Sequence, residues 1–380
     1  MNILLVSTSS GSRGGGELSL LYLGRALRER GHEVMLFASL HERMSELIQA
    51  FAPIGTVCCG PYKNTYDRRG RSLASFLDLW TARRYAKFWP GTRPDVIHIN
   101  KQNLEDGLDL LRAAHQTRIP NIAMMHITQS AAYLGAEHAG WRDFVSRRAL
   151  RKFPDLLVTT PGSRERDLAA FTGSAARIRT VMNGVPIPDL EKLAHSRPIT
   201  RASLGIRDGE ILFVAVGRMM PQKRPLLFLE IADRVLRTLP HARFVWVGDG
   251  DLTAEFDAAL AAKGLGDKVQ RLPWQKEATA FLAGADVFLH VAEFEGLAFA
   301  ILEALAAGLP CAITPNLLAE MPFLNSTNSI AIDDGDAWLD AVKNPAIGQA
   351  ARALAEREFS YATMAANYEA IYEEAIALKR

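Results

Sequence analysis

Short apolar runs recur along this chain, each followed by a longer stretch of helical periodicity, and that alternation restricts the fold more than any other feature. Runs of roughly four to six apolar residues bounded by turn residues read as strands covered on both faces. The stretches between them supply the crossover helices that parallel strands require. In the first half the runs are Ile3 to Val6, Val34 to Ala38, Ile54 to Cys59, Val96 to Ile99, Ile122 to His126, Leu156 to Thr159 and Ile178 to Met182. In the second they are Ile211 to Val216, Phe244 to Val247, Val269 to Leu272, Val287 to Leu289, Cys311 to Thr314 and Ser329 to Ile332. Each set can make its own sheet, so an α/β chain with two parallel sheets is expected.

Asn183-Gly184-Val185-Pro186-Ile187-Pro188 and the polar residues through Thr200 break both periodicities. They place a domain boundary near residue 195, giving domains over 1–195 and 196–380. The alanine-rich ending from Ala351 to Lys379 reads as helix, able to cross back to the first domain. Two such sheets facing each other create a cleft where strand carboxyl ends and helix amino ends collect anionic ligands.

With 380 residues, 48% apolar and 23% charged, the chain can bury two cores and is not a disordered segment. Forty-four Lys and Arg against 42 Asp and Glu leave +2, which gives no reason to expect a nucleic acid partner. The charge is unevenly spread: residues 1–195 carry 26 basic and 18 acidic residues, or +8, and residues 196–380 carry 18 and 24, or −6. A basic front half suits anionic lipid or a phosphorylated substrate, and equally suits ordinary surface variation. Cys58, Cys59 and Cys311 show no metal-ligand spacing and fit a reducing, cytoplasmic compartment. No basic-then-apolar leader opens the sequence, and no stretch approaches the roughly 18 apolar residues that span a bilayer.

Nearly all the informative residues follow strand ends. Gly11-Ser12-Arg13-Gly14-Gly15-Gly16-Glu17 separates the first strand from an amphipathic helix, and its glycines let backbone approach a phosphate or sugar. A dinucleotide loop would need glycine where Ser19 stands and an acidic residue near Ser39, and no Gly-Lys-Ser/Thr makes it a P-loop. A merely tight turn is the alternative. After Ile211 to Val216 come Gly217-Arg218-Met219-Met220-Pro221-Gln222-Lys223-Arg224-Pro225, with the next helix opening at Pro225. Arg218 can clamp a diphosphate through its fork and Lys223 as a mobile point charge, although solvated loop cations are common. Arg224 reads as a bystander.

After Val287-Phe288-Leu289-His290, Glu295 is expected at the amino end of a helix closed by Gly308-Leu309-Pro310. Glu303 lies eight residues on, about 80 degrees around that helix axis, among apolar neighbours, and leans back toward the amino end. A ribose diol or an internal salt bridge would satisfy it.

Taken together, the first glycine loop, His126, Asn183-Gly184-Val185, Gly217-Arg218 with Lys223, Val247-Gly248-Asp249-Gly250 and Glu295 through Pro310 resemble the large family of retaining, nucleotide-sugar-dependent glycosyltransferases of GT-B architecture, family 4 in type. The likeness spans most of the chain, and the glutamate pair with seven intervening residues is its strongest part. It implies two Rossmann-like domains facing across a cleft. It also implies that Gly15 and Gly16 approach the diphosphate and acceptor, Arg218 and Lys223 bind the donor diphosphate, and His126 lies near the transferred sugar. Glu295 would bond sugar hydroxyls, with Gly296 and Leu297 beside it, Glu303 would hold the ribose, and Gly248 and Gly250 would shape the nucleotide side. Trp274 stacks on a base or covers the core. Ala298 stands where related loops commonly carry glycine, which leaves sugar contacts open.

The implied activity moves a hexosyl group from a nucleoside-diphosphate sugar to an acceptor hydroxyl, in glycoconjugate or polysaccharide synthesis. No cofactor or metal is expected, since the nucleotide sugar is a substrate and basic residues neutralise its diphosphate. Glycan, lipid-linked and small-molecule acceptors are all compatible, as are a nucleotide-sugar epimerase, a hydrolase and a non-catalytic sugar-nucleotide-binding module. Leu73, Phe76, Leu77 and Trp80, followed by Arg83, Arg84, Lys87, Phe88 and Trp89, form one apolar and basic stripe. Trp141 and Phe144 with Arg147, Arg148, Arg151 and Lys152 form another. Both fit a peripheral anionic membrane surface or packing of helices against the sheet.

Overall fold

The computed structural model describes residues 1–332 and 338–379. The chain divides into two compact units: Met1–Gly184 with Tyr361–Arg380, and Val185–Ser360. Each is built on one parallel sheet.

In the first unit the strands are β1 (Asn2–Ser7), β2 (Glu33–Ser39), β3 (Thr56–Gly60), β4 (Val96–Lys101), β5 (Asn121–Met125), β6 (Leu156–Thr159) and β7 (Ile178–Thr180). Their order is β3-β2-β1-β4-β5-β6-β7. The second unit has β8 (Ile211–Val216), β9 (Ala242–Val247), β10 (Val269–Leu272), β11 (Val287–His290), β12 (Cys311–Ile313) and β13 (Ile330–Ala331), ordered β10-β9-β8-β11-β12-β13. Every apolar run read as a strand is one. In each sheet the order reverses beside the first strand, between β1 and β4 and between β8 and β11. Parallel sheets bind ligands outside the strand carboxyl ends at such reversals, because the crossover helices leave there toward opposite faces.

Apolar burial on both faces of the first sheet explains its continuous strands. Leu20, Leu23 and Leu27 of the helix Gly15–Glu29 cover one face, and Leu108, Leu111 and Leu150 belong to the cluster on the other. The helix Tyr361–Ala377 also lies on the first unit, with Tyr368 and Tyr372 fully buried against the core. Arg30 and Glu369 pair at 2.5 Å to fasten it. The chain crosses between units at two adjacent positions, for Val185 bridges Ser360 in parallel and its N–H donates to the Phe359 carbonyl at 2.8 Å.

A cut at residue 195 would pass through the helix Leu190–Ser203, which belongs whole to the second unit. Asp189 caps it by accepting from the Glu191 and Lys192 amides at 2.8 and 3.1 Å. Arg197 and Arg201 tie it to Asp286 at 2.5 and 3.0 Å. The polar composition that reads as a linker is an exposed, ion-paired helix.

Within the first unit His98, on β4, is buried and shares a 2.8 Å hydrogen bond between Nδ1 and the Tyr372 hydroxyl. Burial, aided by the nearby His126, pushes its pKa down to about 3. The folded protein therefore holds it neutral while an unfolded chain protonates it near 6.5. Its contribution is present above that value and lost as pH falls toward 3. Tyr372→Phe should lower stability by about 1 kcal/mol, and the wild-type urea midpoint should fall between pH 6.5 and 4. Midpoints measured across pH check both.

Candidate functional site

The two sheet reversals carry the two groups of motif residues, one in each unit. In the first unit Gly14 takes an extended conformation before the helix Gly15–Glu29 and supplies no side-chain cap. Gly15 is exposed and Gly16 buried. A Cβ on Gly16 would overlap the Gln102 side-chain amide, which would have to move away from its place against the helix start. Gln102 Nε2 donates to Glu17 Oε1 at 2.8 Å, and the Ser9 hydroxyl donates to the same oxygen. Glu17, buried in the first helical turn, thus fixes the glycine turn from below.

His126 follows β5 directly and its N–H donates to the Lys101 carbonyl at 3.2 Å. The ring is half-buried, and Nε2 lies 2.9 Å from Asn100 Oδ1. Burial pushes its pKa down to about 4, so it is neutral at physiological pH. Asn100 Nδ2 in turn donates to the Gly16 carbonyl at 3.0 Å. Structure therefore brings His126 and Gly16 together through Asn100, a residue the sequence reading did not single out.

In the second unit the loops after β8 and β11 are sewn to each other. The Gln222 side-chain amide donates to the Phe294 carbonyl at 2.8 Å, and the Glu293 N–H donates to the Gln222 carbonyl at 2.8 Å. Between these bonds the Lys223 ammonium pairs with Glu295 Oε1, and His290 Nε2 approaches the same oxygen at 3.1 Å. Glu295 and His290 are buried, and Lys223 is half-buried. Burial alone would raise the Glu295 pKa, but the Lys223 charge and the His290 bond outweigh it and hold it at about 2. Burial lowers the His290 pKa despite the carboxylate beside it. Arg218 is exposed on the same loop, with Met219 buried behind it.

The helix expected to begin near Glu295 begins at Phe299, with Ala298 at the cap position. Glu295 therefore lies in the preceding loop, and the angular relation drawn between it and Glu303 on one helix does not hold. Residues 295–298 bend away from helical geometry because Lys223 and His290 hold the carboxylate against the ends of β8 and β11. Glu303 is half-buried in the last turns of that short helix, and Gly296 is half-buried and Leu297 buried before it. Ala298 has φ −66°, ordinary for any side chain, so its methyl costs no backbone strain.

Gly248 and Gly250 prove to be packing glycines. Gly248 has φ +138°, and a Cβ there would strike the Gly217 carbonyl, as one on Gly250 would strike the Met219 carbonyl. The Gly217 and Met219 amides donate to Val247 and Asp249 carbonyls at 3.1 and 3.0 Å. Close approach of the β9 loop thus supports the Arg218 loop. Asp249 accepts the Trp274 N–H at 3.1 Å. Arg224 takes a left-handed φ of +50° before the helix Pro225–Thr238. His290, like Asn100 and Glu17, escaped the sequence reading. Its only signal was a polar residue ending an otherwise apolar strand.

Among the described residues no group of three or more His, Cys, Asp or Glu could hold a metal ion. Of the apolar stripe, Phe76 stacks on Phe153 and Trp89 is fully buried, whereas Leu77 and Trp80 are 64% and 65% exposed. Asp78 ends one helix, Arg71–Leu77, and caps the next, Leu79–Phe88, so the stripe is not continuous.

Two family models match. "Glycosyltransferase Family 4" covers residues 13–187 and "Glycosyl transferases group 1" covers residues 210–344. Among relatives, an Escherichia coli UDP-Gal:alpha-D-GlcNAc-diphosphoundecaprenol alpha-1,3-galactosyltransferase is 31% identical over 169 residues, 43% of this chain and 41% of that protein. A sulfoquinovosyl transferase of Arabidopsis thaliana is 26% identical over 292 residues, 75% of this chain and 54% of that protein. The chain spans less than half the length of the first relatives it matches, 41%, 28% and 39%. Among solved structures, Anabaena Alr3699/HepE in complex with UDP and glucose superposes with TM-score 0.76 at 18% identity, covering 98% of this chain and 99% of that one. The likeness establishes the GT-B fold.

Removing Lys223 strands a buried carboxylate, so Lys223→Ala should destabilise the protein by about 3 kcal/mol. Arg218→Ala, on an exposed loop, should cost less than about 0.5 kcal/mol. Urea denaturation of the two variants checks the contrast.

Proposed function

We propose that this chain, with its GT-B fold and its match to two glycosyltransferase family models, moves a hexosyl group from a nucleoside-diphosphate sugar to an acceptor hydroxyl with retained anomeric configuration, in glycoconjugate or polysaccharide assembly. One observation carries this reading: the ion-paired union of the β8 and β11 loops at the second sheet's reversal. It gathers Arg218, Lys223, Gly296, Leu297 and the start of the Glu303 helix beside one pair of strand ends. Cations with a helix amino end form a diphosphate site. Lys223 spends one of three donors on Glu295, leaving its other two for phosphate oxygens.

In the proposed reaction the bond from the anomeric carbon to the donor phosphate oxygen breaks ahead of bond formation to the acceptor oxygen. The nucleoside diphosphate leaves with charge neutralised by Arg218 and Lys223, and the acceptor proton passes to a departing phosphate oxygen. No protein base is needed. Glu295, held ionised with a pKa of about 2, is a hydrogen-bond acceptor for sugar hydroxyls and not a general acid, which weighs against glycoside hydrolysis. Glu303 takes the ribose, and Gly15, Gly16 and His126 of the first unit take the acceptor and the transferred sugar. Gly248 and Gly250 act through the loop packing they permit.

A lipid-linked acceptor at the cytoplasmic face of an anionic membrane fits the first unit. No described helix is long and apolar enough to cross a membrane. Instead Leu77, Trp80, Trp141 and Phe144, each more than half exposed, stand out from helices that also carry Arg83, Arg84, Lys87, Arg147 and Arg148. Such a surface lies at a headgroup boundary. The double variant Trp80→Ala, Trp141→Ala should lose most binding to vesicles containing anionic lipid at low salt. Equal sedimentation of wild type and variant would reject this surface.

For the donor site, mass-spectrometric screening of nucleotide sugars against the purified protein should find one donor class consumed only with acceptor present. With that donor, Arg218→Ala should lower kcat/KM about 100-fold, and Glu303→Ala should raise the donor KM about 10-fold. Product NMR showing an inverted anomeric centre would overturn retention, and unchanged kinetics in both folded variants would overturn the site.

A further inference from the structure

Asn100 occupies the end of the central strand at the first sheet's reversal, in register with Ser7 of β1 and Met124 of β5. Its backbone is fixed, for its carbonyl accepts the Thr8 N–H at 3.2 Å and the Thr8 hydroxyl at 3.1 Å. Its buried side chain has no freedom either. The Gly16 carbonyl can only accept, so the amide nitrogen must face it, at 3.0 Å. The amide oxygen must then face His126 Nε2, at 2.9 Å, and a hydrogen bond there requires a proton on that nitrogen.

We infer that Asn100 is a positioning residue that ties the glycine turn to His126 and holds the ring as the Nε2–H tautomer, so that His126 meets its ligand through Nδ1 as a hydrogen-bond acceptor. Resting on the transferase reading, this makes the ligand a hydroxyl donor, as a sugar is. It also gives the ring the role of orienting that hydroxyl, with its one proton already committed to Asn100. The titratable groups around the ring are His98 and Lys101 on β4, while Glu17 on the Gly15–Glu29 helix reaches the same loop through Gln102. His98 is buried and neutral, so protonating His126 gains nothing from it.

The test is histidine nitrogen NMR on the full chain, with His126→Gln assigning the signal among nine histidines. Wild type should show a protonated Nε2 and an unprotonated Nδ1 at neutral pH. Asn100→Asp keeps the acceptor and adds a charge, so the tautomer should persist while the ring's titration midpoint rises by about one unit or more. Asn100→Leu should give mixed tautomers, and with a donor in hand should lower kcat about 10-fold with a smaller change in donor KM. A protonated Nδ1 in wild type, or an unaltered ring signal in Asn100→Leu, overturns the inference. Should Asn100→Leu not fold, the wild-type tautomer and the Asn100→Asp titration decide alone. Absence of glycosyl transfer by wild type would overturn the transferase reading, and with it the sugar as ligand, while the ring signal still decides the Asn100 linkage.

Discussion

The second unit is organised by a charge that has no business being buried. Glu295 is shielded from water and still ionised, because Lys223 and His290 reach the same carboxylate oxygen. A buried ion pair contributes little net stability, since desolvation cancels most of the attraction. Its effect on geometry is larger: neither partner can leave without stranding the other. Two loops from adjacent strands are thereby held in one register, and Gln222 adds neutral bonds that share the same dependence. Arg218 and the helix Phe299–Ala306 take their places from that join.

Much of this architecture was legible because parallel strands covered on both faces must be apolar throughout, and such runs are hard to disguise. Val214 and Phe288 announce buried strands by themselves. The helix Leu190–Ser203 was not legible, because a polar exposed helix held by Arg197 and Arg201 to Asp286 has the composition of a linker. The start of the helix at Phe299 was misread for a related reason. Periodicity through Glu295 looks helical, and only a partner 72 residues away in the sequence pulls that carboxylate out of register.

The site was legible in its residue types and obscure in their reasons. Glycines at 16, 248 and 250 read as room for a ligand. Structure gives two of them a nearer cause, since a side chain at Gly248 or Gly250 would collide with the Gly217 or Met219 carbonyl, while one at Gly16 would only displace the Gln102 side chain. The two accounts are compatible, because a loop that packs closely against its neighbour is also held at the strand ends where the candidate site lies. His290 and Asn100 were missed because each sits inside an apolar strand pattern and looks like an interruption of it. A polar residue in the last two positions of a buried strand beside a sheet reversal is better read as a tie between neighbouring loops.

The two units solve one problem in parallel ways. At each reversal one polar side chain ties strand ends together: Asn100 of β4 joins Gly16, after β1, to His126, after β5, and Glu295, after β11, joins Lys223, after β8, to His290 at the end of β11. The bridge in the first unit is a neutral amide, and in the second a carboxylate. That difference follows from what each must present. An anionic bridge near Arg218 and Lys223 can coexist with a diphosphate only if its charge is already spent, as the Lys223 pairing ensures. A neutral bridge accepts the His126 Nε2 proton without adding a charge beside the ring, and burial keeps that ring neutral.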